Sequence, residues 1–222
     1  METTVTLLQR TFVTHDVVRL VLSRPDAFTF EPGQGVELAP ADPDTDVRGG
    51  PFTPTSLPGD GVLEFTIKVY DEHHSLTRWL RQQEPGASLL LQGPFGAIRW
   101  RGPGVFIAGG AGITPFLAIL RMLAHNGGLA GNQLLFSNHT GEDIIAEREL
   151  RHFLGRRCVF TCTRDQSTPY RYGRIDEPFL EAEVDDFDKY FYVCGPPGFM
   201  RDVIASLEQL GVGRDQLVIE KS

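Results

Sequence analysis

The sequence predicts two domains, a small antiparallel β-barrel followed by a parallel α/β sheet. Three observations carry this expectation. The first hundred residues alternate apolar and polar in short segments cut by Gly/Pro turns. After residue 104 the rhythm changes to continuous apolar strands separated by helical segments. The chain of 222 residues is long enough for two cores of roughly 100 residues each.

In the first half, residues 62–70 are the clearest strand. Leu63, Phe65, Ile67 and Val69 alternate with Glu64, Thr66 and Lys68, as a half-buried strand requires. Residues 17–23 and 4–12 follow the same period less strictly. Pro25-Asp26, Pro32-Gly33, Pro43-Asp44, Pro58-Gly59-Asp60-Gly61, Pro85-Gly86 and Gly93-Pro94 supply the turns. The 24 glycines and 15 prolines fit a turn-rich barrel. One helix is expected over 76–83. In the second half, strands are expected at 105–108, 133–137, 158–163, 190–194 and 216–220. Helices are expected at 114–125, 142–153, 175–182 and 198–210. This alternation implies a parallel sheet covered on both faces. The division is placed at residues 1–101 and 102–222, in the turn around Gly102-Pro103-Gly104.

Composition removes several function classes. The formal net charge of −8 argues against a nucleic-acid surface, which needs a basic stripe. Cys158, Cys162 and Cys194 are odd in number and form no CxxC pair, so they suit neither a disulfide scaffold nor an iron–sulfur cluster or structural zinc site. His73 and His74 are a weak metal signal, because strand neighbours point to opposite faces, and no metal is expected. The polar start lacks the features of a signal peptide, and no apolar run approaches the ~18 residues of a membrane span. A cytoplasmic monomer without membrane insertion is expected.

The chemistry gathers in two loops. Gly109-Gly110-Ala111-Gly112-Ile113-Thr114-Pro115 follows an apolar strand and opens a helix. Glycines admit close backbone approach, and a helix N-terminus offers unpaired N–H groups to a pyrophosphate. The spacing is not that of the GxGxxG fingerprint, and a tight turn without ligand would look alike. The second loop, Cys194-Gly195-Pro196-Pro197-Gly198, lies at the end of a later strand, so both loops should face one crevice at the carboxyl ends of the sheet.

With Phe30-Glu31-Pro32-Gly33-Gln34, Pro51-Phe52-Thr53 and Gly93-Pro94-Phe95-Gly96 preceding these loops in order, the chain resembles the ferredoxin–NADP reductase superfamily, in particular its small bacterial flavodoxin-reductase-like members, over essentially its whole length. The resemblance implies a Greek-key barrel that binds FAD, with FMN possible, and a Rossmann-like domain that binds NAD(P)H. Phe52 and Thr53 match an Arg-x-aromatic-Ser/Thr motif, in which the ring lies on the flavin and the hydroxyl approaches its reactive nitrogen; Gly50 stands where the arginine is expected, with Arg48 two residues away. Further flavin contacts are implied for Lys68, Val69 and Tyr70, and for Ser75, Leu76 and Thr77, where His74 replaces the usual glycine.

For the nicotinamide cofactor the resemblance implies Gly109, Gly110, Gly112, Thr114, Pro115, Cys194, Gly195 and Pro196. Thr163-Arg164-Asp165-Gln166 resembles a stretch whose hydroxyl and guanidinium hold the ribose 2′-phosphate. Tyr170 and Tyr172 are candidates to stack on adenine. Ser137-Asn138-His139-Thr140 resembles the corresponding loop of NADH-using relatives, so both donors are in play and NADPH is favoured over NADH. Thr53, Cys194 and Glu220 are implied as catalytic, the last through a carboxylate near the flavin edge. The expected function is flavin-dependent oxidation of NAD(P)H, with electrons passed to a separate acceptor such as a flavodoxin, a ferredoxin or a small molecule. Arg78, Arg81, Arg99 and Arg101 are the basic residues available to an acidic acceptor. The rival expectation, motivated by Gly50 and His74, is a non-catalytic or electron-relay subunit on the same fold.

Overall fold

The computed structural model describes residues 2–70, 75–96 and 98–219. All the described strands fall into two six-stranded sheets. The first contains β1 (Glu2–Phe12), β2 (Val17–Ser23), β3 (Gly35–Pro40), β4 (Gly50–Phe52), β5 (Val62–Lys68) and β6 (Ser88–Phe95), with helix α1 (Leu76–Gln82) between the last two. Its order is β4-β3-β6-β1-β2-β5, and every pair is antiparallel. Beyond β4 the chain turns back so that Pro54 bridges Phe65 of β5. That bridge joins the two sheet edges and gives the sheet its barrel form. Leu20, Leu22, Leu38, Leu63, Phe65 and Leu91 fill the interior.

The second sheet contains β7 (Gly104–Gly109), β8 (Gln133–Asn138), β9 (Cys158–Cys162), β10 (Arg171–Tyr172), β11 (Tyr190–Cys194) and β12 (Leu217–Ile219). Its order, β10-β9-β8-β7-β11-β12, is parallel throughout. Helices α2 (Thr114–His125) and α3 (Glu147–Leu154) cover one face, where Phe106 and Phe136 meet Phe116, Leu120 and Leu150. Helices α4 (Glu177–Glu183) and α5 (Pro197–Gln209) cover the other, where Val105 and Ile107 meet Leu180, Val203 and Leu207. Burial on both faces explains why β7 is apolar without alternation. Among the described residues no helix is long and apolar enough to cross a membrane.

Most expected elements appear within a residue or two. One does not. The helix expected over 142–153 begins only at Glu147. Thr140 and Asp143 form a reciprocal capping box around a short 3₁₀ turn. Ile144 and Ile145 then both enter the core, and Ala146 takes a left-handed φ of 55°, so the segment cannot run on as one helix. Strands β3, β4, β6 and β10 were not singled out in the sequence, because they are short or lack alternation.

The two units share a close seam. Val17 and Ile98 belong to the core cluster of the second sheet. The buried Tyr192 hydroxyl accepts from the Arg101 and Gly102 N–H groups and donates to the Gly102 carbonyl, which pins the connection between the units to β11. Arg121 of α2 reaches across to the Glu64 carboxylate of β5 at 2.6 Å and the Thr55 carbonyl at 2.6 Å, while its remaining nitrogens bind both oxygens of Glu149 at 2.7 and 2.9 Å. The polar face of β5 therefore meets the second unit instead of water.

Candidate active-site crevice

Strands β8 and β11 leave β7 in opposite directions, so a crevice opens beyond its carboxyl end, the usual ligand position in such sheets. The loop after β7 and the loop after β11 form its floor. A Cβ on Gly112 would overlap the Cys194 carbonyl, and one on Gly195 would sit 2.6 Å from the Phe199 ring. These two glycines thus serve loop-against-loop packing and face protein, where the sequence had suggested close approach to a ligand. Gly110 differs. Its φ is +52° and the space a side chain would fill is open, so its backbone lies bare to the crevice. Pro115 falls in the first turn of α2, where no N–H is needed.

Two cavities open from this floor. The larger has a volume of about 830 Å³ and the smaller about 240 Å³. Lys68, Tyr70 and Ala111 line both, so the two adjoin. The smaller lies against the barrel. Phe52 and Tyr70 offer ring faces there, Thr53 and Thr77 offer hydroxyls, and Thr114, Pro115 and Cys194 close it from the second sheet. Ser75 caps α1: its hydroxyl accepts from Arg78 N–H and donates to the Tyr70 carbonyl, while Thr77 Oγ1 accepts from Tyr70 N–H at 3.0 Å. Both hydroxyls therefore fix the Tyr70 backbone.

Val69 and Leu76 were expected as contacts, but both side chains are buried in the barrel core. The strand period turns Val69 inward, and Leu76 starts the apolar face of α1. Gly50 leaves ordinary room for a side chain beside Leu76. Arg48 is exposed and lies outside both cavity walls.

The larger cavity lies along the ends of β7, β8, β9 and β10. Gly109 and Gly110 form its floor; Thr163, Arg164 and Tyr172 line one side and Pro196 and Phe199 the other. Thr163 is held by its N–H and hydroxyl on the Asn138 carbonyl at 2.9 and 3.2 Å, and the Arg164 N–H donates to the His139 carbonyl at 2.8 Å. Arg164 itself forms no ion pair among the described residues. The Tyr172 ring is 54% exposed. Tyr170, its expected companion, packs away from the cavity, edge-on to Phe160 and against Gly141.

At the barrel side, Lys68 Nζ lies 2.8 Å from Asp16. Burial works against the Asp16 charge, but the Lys68 ammonium and the Thr14 hydroxyl more than offset it and hold the carboxyl below its ordinary range. Of the three cysteines, Cys194 alone reaches a described cavity wall. Cys158 is buried, and its thiol is pushed up to about 12 by desolvation; burial also raises Cys162. Arg99 is paired with Glu31 at 3.3 Å and Arg101 reaches the Asp215 carbonyl, so both are already engaged. Phe199 and Asp143 reach the larger cavity without having been singled out in the sequence; Phe199 follows Gly198 in the first turn of α5. His73, His74 and Glu220 lie outside the described residues.

The comparisons divide the chain where the fold does. Residues 4–100 match the model of an oxidoreductase FAD-binding domain, and residues 106–204 match that of an oxidoreductase NAD-binding domain. The chain belongs to the oxidoreductases that join an FAD-binding domain to an NAD-binding domain. It is 28% identical to NADH-cytochrome b5 reductase 2 of Mus musculus, over 76% of this chain and 75% of that protein. It is 27% identical to the reductase component of propane 2-monooxygenase of Rhodococcus jostii, over 94% of this chain but 60% of that protein. A ferredoxin NADP+ reductase of Neisseria gonorrhoeae, solved with bound FAD and NADP, superimposes with a TM-score of 0.84 at 20% identity, covering 99% of this reductase-like chain and 98% of that one.

Proposed function

We propose that this chain is an FAD-dependent NAD(P)H reductase that hands electrons to a separate acceptor. The observation that carries the reading is that the two cavities adjoin, with the Phe52 and Thr53 wall on the barrel and Cys194 on the second sheet. The donor set fits the groups implied. Rings and hydroxyls suit a planar heteroaromatic in the smaller cavity, and the open Gly110 backbone beside a helix start suits a pyrophosphate in the larger.

When bound, flavin supplies the conversion between two-electron and one-electron chemistry. The residues of this chain bind and orient. Phe52 and Tyr70 present flat apolar faces, Thr53 presents a hydroxyl, and Lys68 sets a positive charge, tied to Asp16, on the wall the two cavities share. Cys194 spaces the second sheet from the barrel with a small soft side chain. Glu220 is assigned to proton movement at the flavin edge on resemblance alone. FMN could take the place of FAD. The acceptor is a separate protein of the flavodoxin or ferredoxin type or a small molecule, and the chain works as a cytoplasmic monomer with its domains divided at residues 101 and 102.

NADPH is the preferred donor in this reading, supported by Arg164 at the cavity wall, without an ion pair among the described residues, and by Thr163 beside it. Arg164→Ala is expected to raise KM for NADPH about tenfold or more, the size of a lost charge-assisted bond, and to leave KM for NADH nearly unchanged. Steady-state kinetics with both donors checks this; equal effects would assign Arg164 to something the two share.

The whole reading is tested by colour. Purified protein should be yellow, and the colour should bleach when NADPH is added without air. Protein that takes up no flavin in equilibrium dialysis would refute it. A second reading, an electron-relay or non-catalytic subunit, is favoured by one observation: no guanidinium stands at Gly50 or reaches the cavity from Arg48. Gly50 sits in β4 without a positive φ and has room for a side chain. Gly50→Arg is therefore expected to tighten flavin binding about tenfold, read by dialysis. No change would show that the missing arginine is not what limits affinity.

A further inference from the structure

Gly109, the last residue of β7, has φ −118° and ψ 114°, an extended conformation open to any residue. Gly195, in the loop after β11, has no positive φ either. Conformation therefore demands glycine at neither place. Space does. A Cβ on Gly109 would stand 2.9, 3.0 and 3.1 Å from Cδ1, Cγ and Cε1 of Phe199, and one on Gly195 would stand 2.6 Å from the same Cδ1. One ring thus excludes a side chain from both loops.

The ring is fixed from behind. Phe199 lies in the first turn of α5, where the Met200 N–H donates to the Pro196 carbonyl at 3.0 Å. It packs against the core cluster that holds Ile107 and Val203. It is half-buried and lines the larger cavity beside Gly109 and Gly110. The place of a Gly195 Cβ also lies 3.2 Å from the Gly109 Cα and N, so the two loops meet each other where they meet the ring. In a close-packed interior a rigid ring fixes the separation of the segments that rest on it.

This contact reaches the crevice through one peptide bond. Cys194 directly precedes Gly195, and its carbonyl occupies the place that a Cβ on Gly112 would need. Cys194 lines the smaller cavity. A shift of Gly195 relative to the ring would carry Cys194 with it and change the distance from the second sheet to the barrel wall.

We propose that Phe199 is a positioning residue for the reduction of flavin by NADPH: its ring sets the separation of the loops after β7 and β11, and through Gly195 the place of Cys194. The inference rests on the reading of the chain as a flavin-dependent NAD(P)H reductase. In that reaction a hydride, one proton with two electrons, leaves NADPH, which becomes NADP+, and reduces the flavin. A misplacement of about 1 Å can cost such a step about 100-fold, whereas cofactor affinity is spread over many contacts.

Phe199→Leu keeps an apolar side chain but loses the flat ring. In the flavin-loaded protein it is expected to lower the limiting rate of anaerobic flavin reduction by NADPH about tenfold and to hold the dissociation constant of NADP+ within about twofold. Amide hydrogen exchange should speed up in residues 109–112 and 194–198 and stay unchanged in β8 and β9. Gly195→Ala sets a methyl against the ring and should slow reduction in the wild-type background. In Phe199→Leu, whose side chain can turn away, the same change should cost a smaller factor.

A Phe199→Leu protein that reduces flavin at the wild-type rate overturns the proposal and leaves the reductase reading standing. A loss of NADP+ affinity equal to the loss of rate would make the ring a binding contact and overturn it too. So would unchanged exchange in both loops, or strictly additive effects of the two substitutions. Wild-type protein that takes up no flavin, or is not reduced by NADPH, overturns both readings. Should Phe199→Leu not fold, Gly195→Ala alone carries the test with the same rate, affinity and exchange measurements.

Discussion

Cys194→Ser is expected to slow the anaerobic bleaching of bound flavin by NADPH about 100-fold, the cost of a small misplacement of reacting groups, while flavin affinity and melting temperature hold. The argument starts from β11, whose last residue is Cys194, paired in register with Ala108 of β7. Its carbonyl lies so close to Gly112 that a Cβ there would overlap it, so the backbone of the two loops is locked. Cys194 lines the smaller cavity with Thr114 and Pro115, and the barrel side of that cavity carries Phe52 and Thr53. A serine at this place is smaller and asks for hydrogen bonds that a thiol does not demand. The fold should absorb the change; the spacing across the crevice should not. Stopped-flow reduction of wild type and variant is the measurement. A rate unchanged in a variant that binds flavin normally would reduce Cys194 to core packing.

Arg121→Ala should cost about 2–3 kcal/mol of stability, somewhat below the 3–5 of a fully buried pair broken on one side because these groups keep some contact with water. The side chains of Arg121, Glu64 and Glu149 are 23%, 18% and 31% exposed. Burial opposes the Arg121 charge, yet the hydrogen bonds and charges of Glu149 and Glu64 raise its pKa further above the ordinary arginine value. Removing it leaves Glu64 with only the longer Arg19 contact at 3.9 Å, takes from Glu149 its bidentate partner, and strips the Thr55 carbonyl of its donor. For a chain of this size the melting temperature should fall by roughly 5–10 °C. Arg121→Lys keeps the charge but not the fork, and should recover only part of the loss. The seam also positions the site: Glu64 is two residues from Thr66 and four from Lys68, both on cavity walls. Flavin reduction by NADPH should therefore slow in Arg121→Ala even below its melting range. A melting temperature equal to wild type would show that the clamp contributes nothing to holding the units together.

Several site features were legible because they follow from backbone chemistry near in sequence. A proline one residue into a helix, a run of glycines after an apolar strand and a Cys-Gly-Pro-Pro turn each dictate a local shape that packing does not reverse. Gly109, Gly110, Thr114, Pro115, Cys194 and Pro196 all reach a cavity wall. Side-chain direction was less legible. Val69 and Leu76 lie within residues of the crevice but point into the barrel, and Tyr170 and Tyr172, two positions apart, go opposite ways, one to Phe160 and the other to the open. Proximity in sequence cannot settle which face becomes core.

The sequence by itself determined the class of each half, since period-two alternation and continuous apolar strands arise from burial on one face or on two, and that pattern is written in the residues. It determined the two loops at the crevice through glycine and proline, whose backbone chemistry sets a local shape. Tertiary structure alone decided that the polar face of β5 meets the second unit, because Glu64, Thr66 and Lys68 would read identically on a solvated strand. It alone decided that Gly112 and Gly195 yield to each other's loops while Gly110 stays open. It alone gave the buried Asn132 amide its partners in Gly104 and Gly128 and left the Asn138 amide without one among the described residues. Each of these depends on atoms distant in the chain, and a hydrogen bond or an excluded Cβ exists only once both partners are in place.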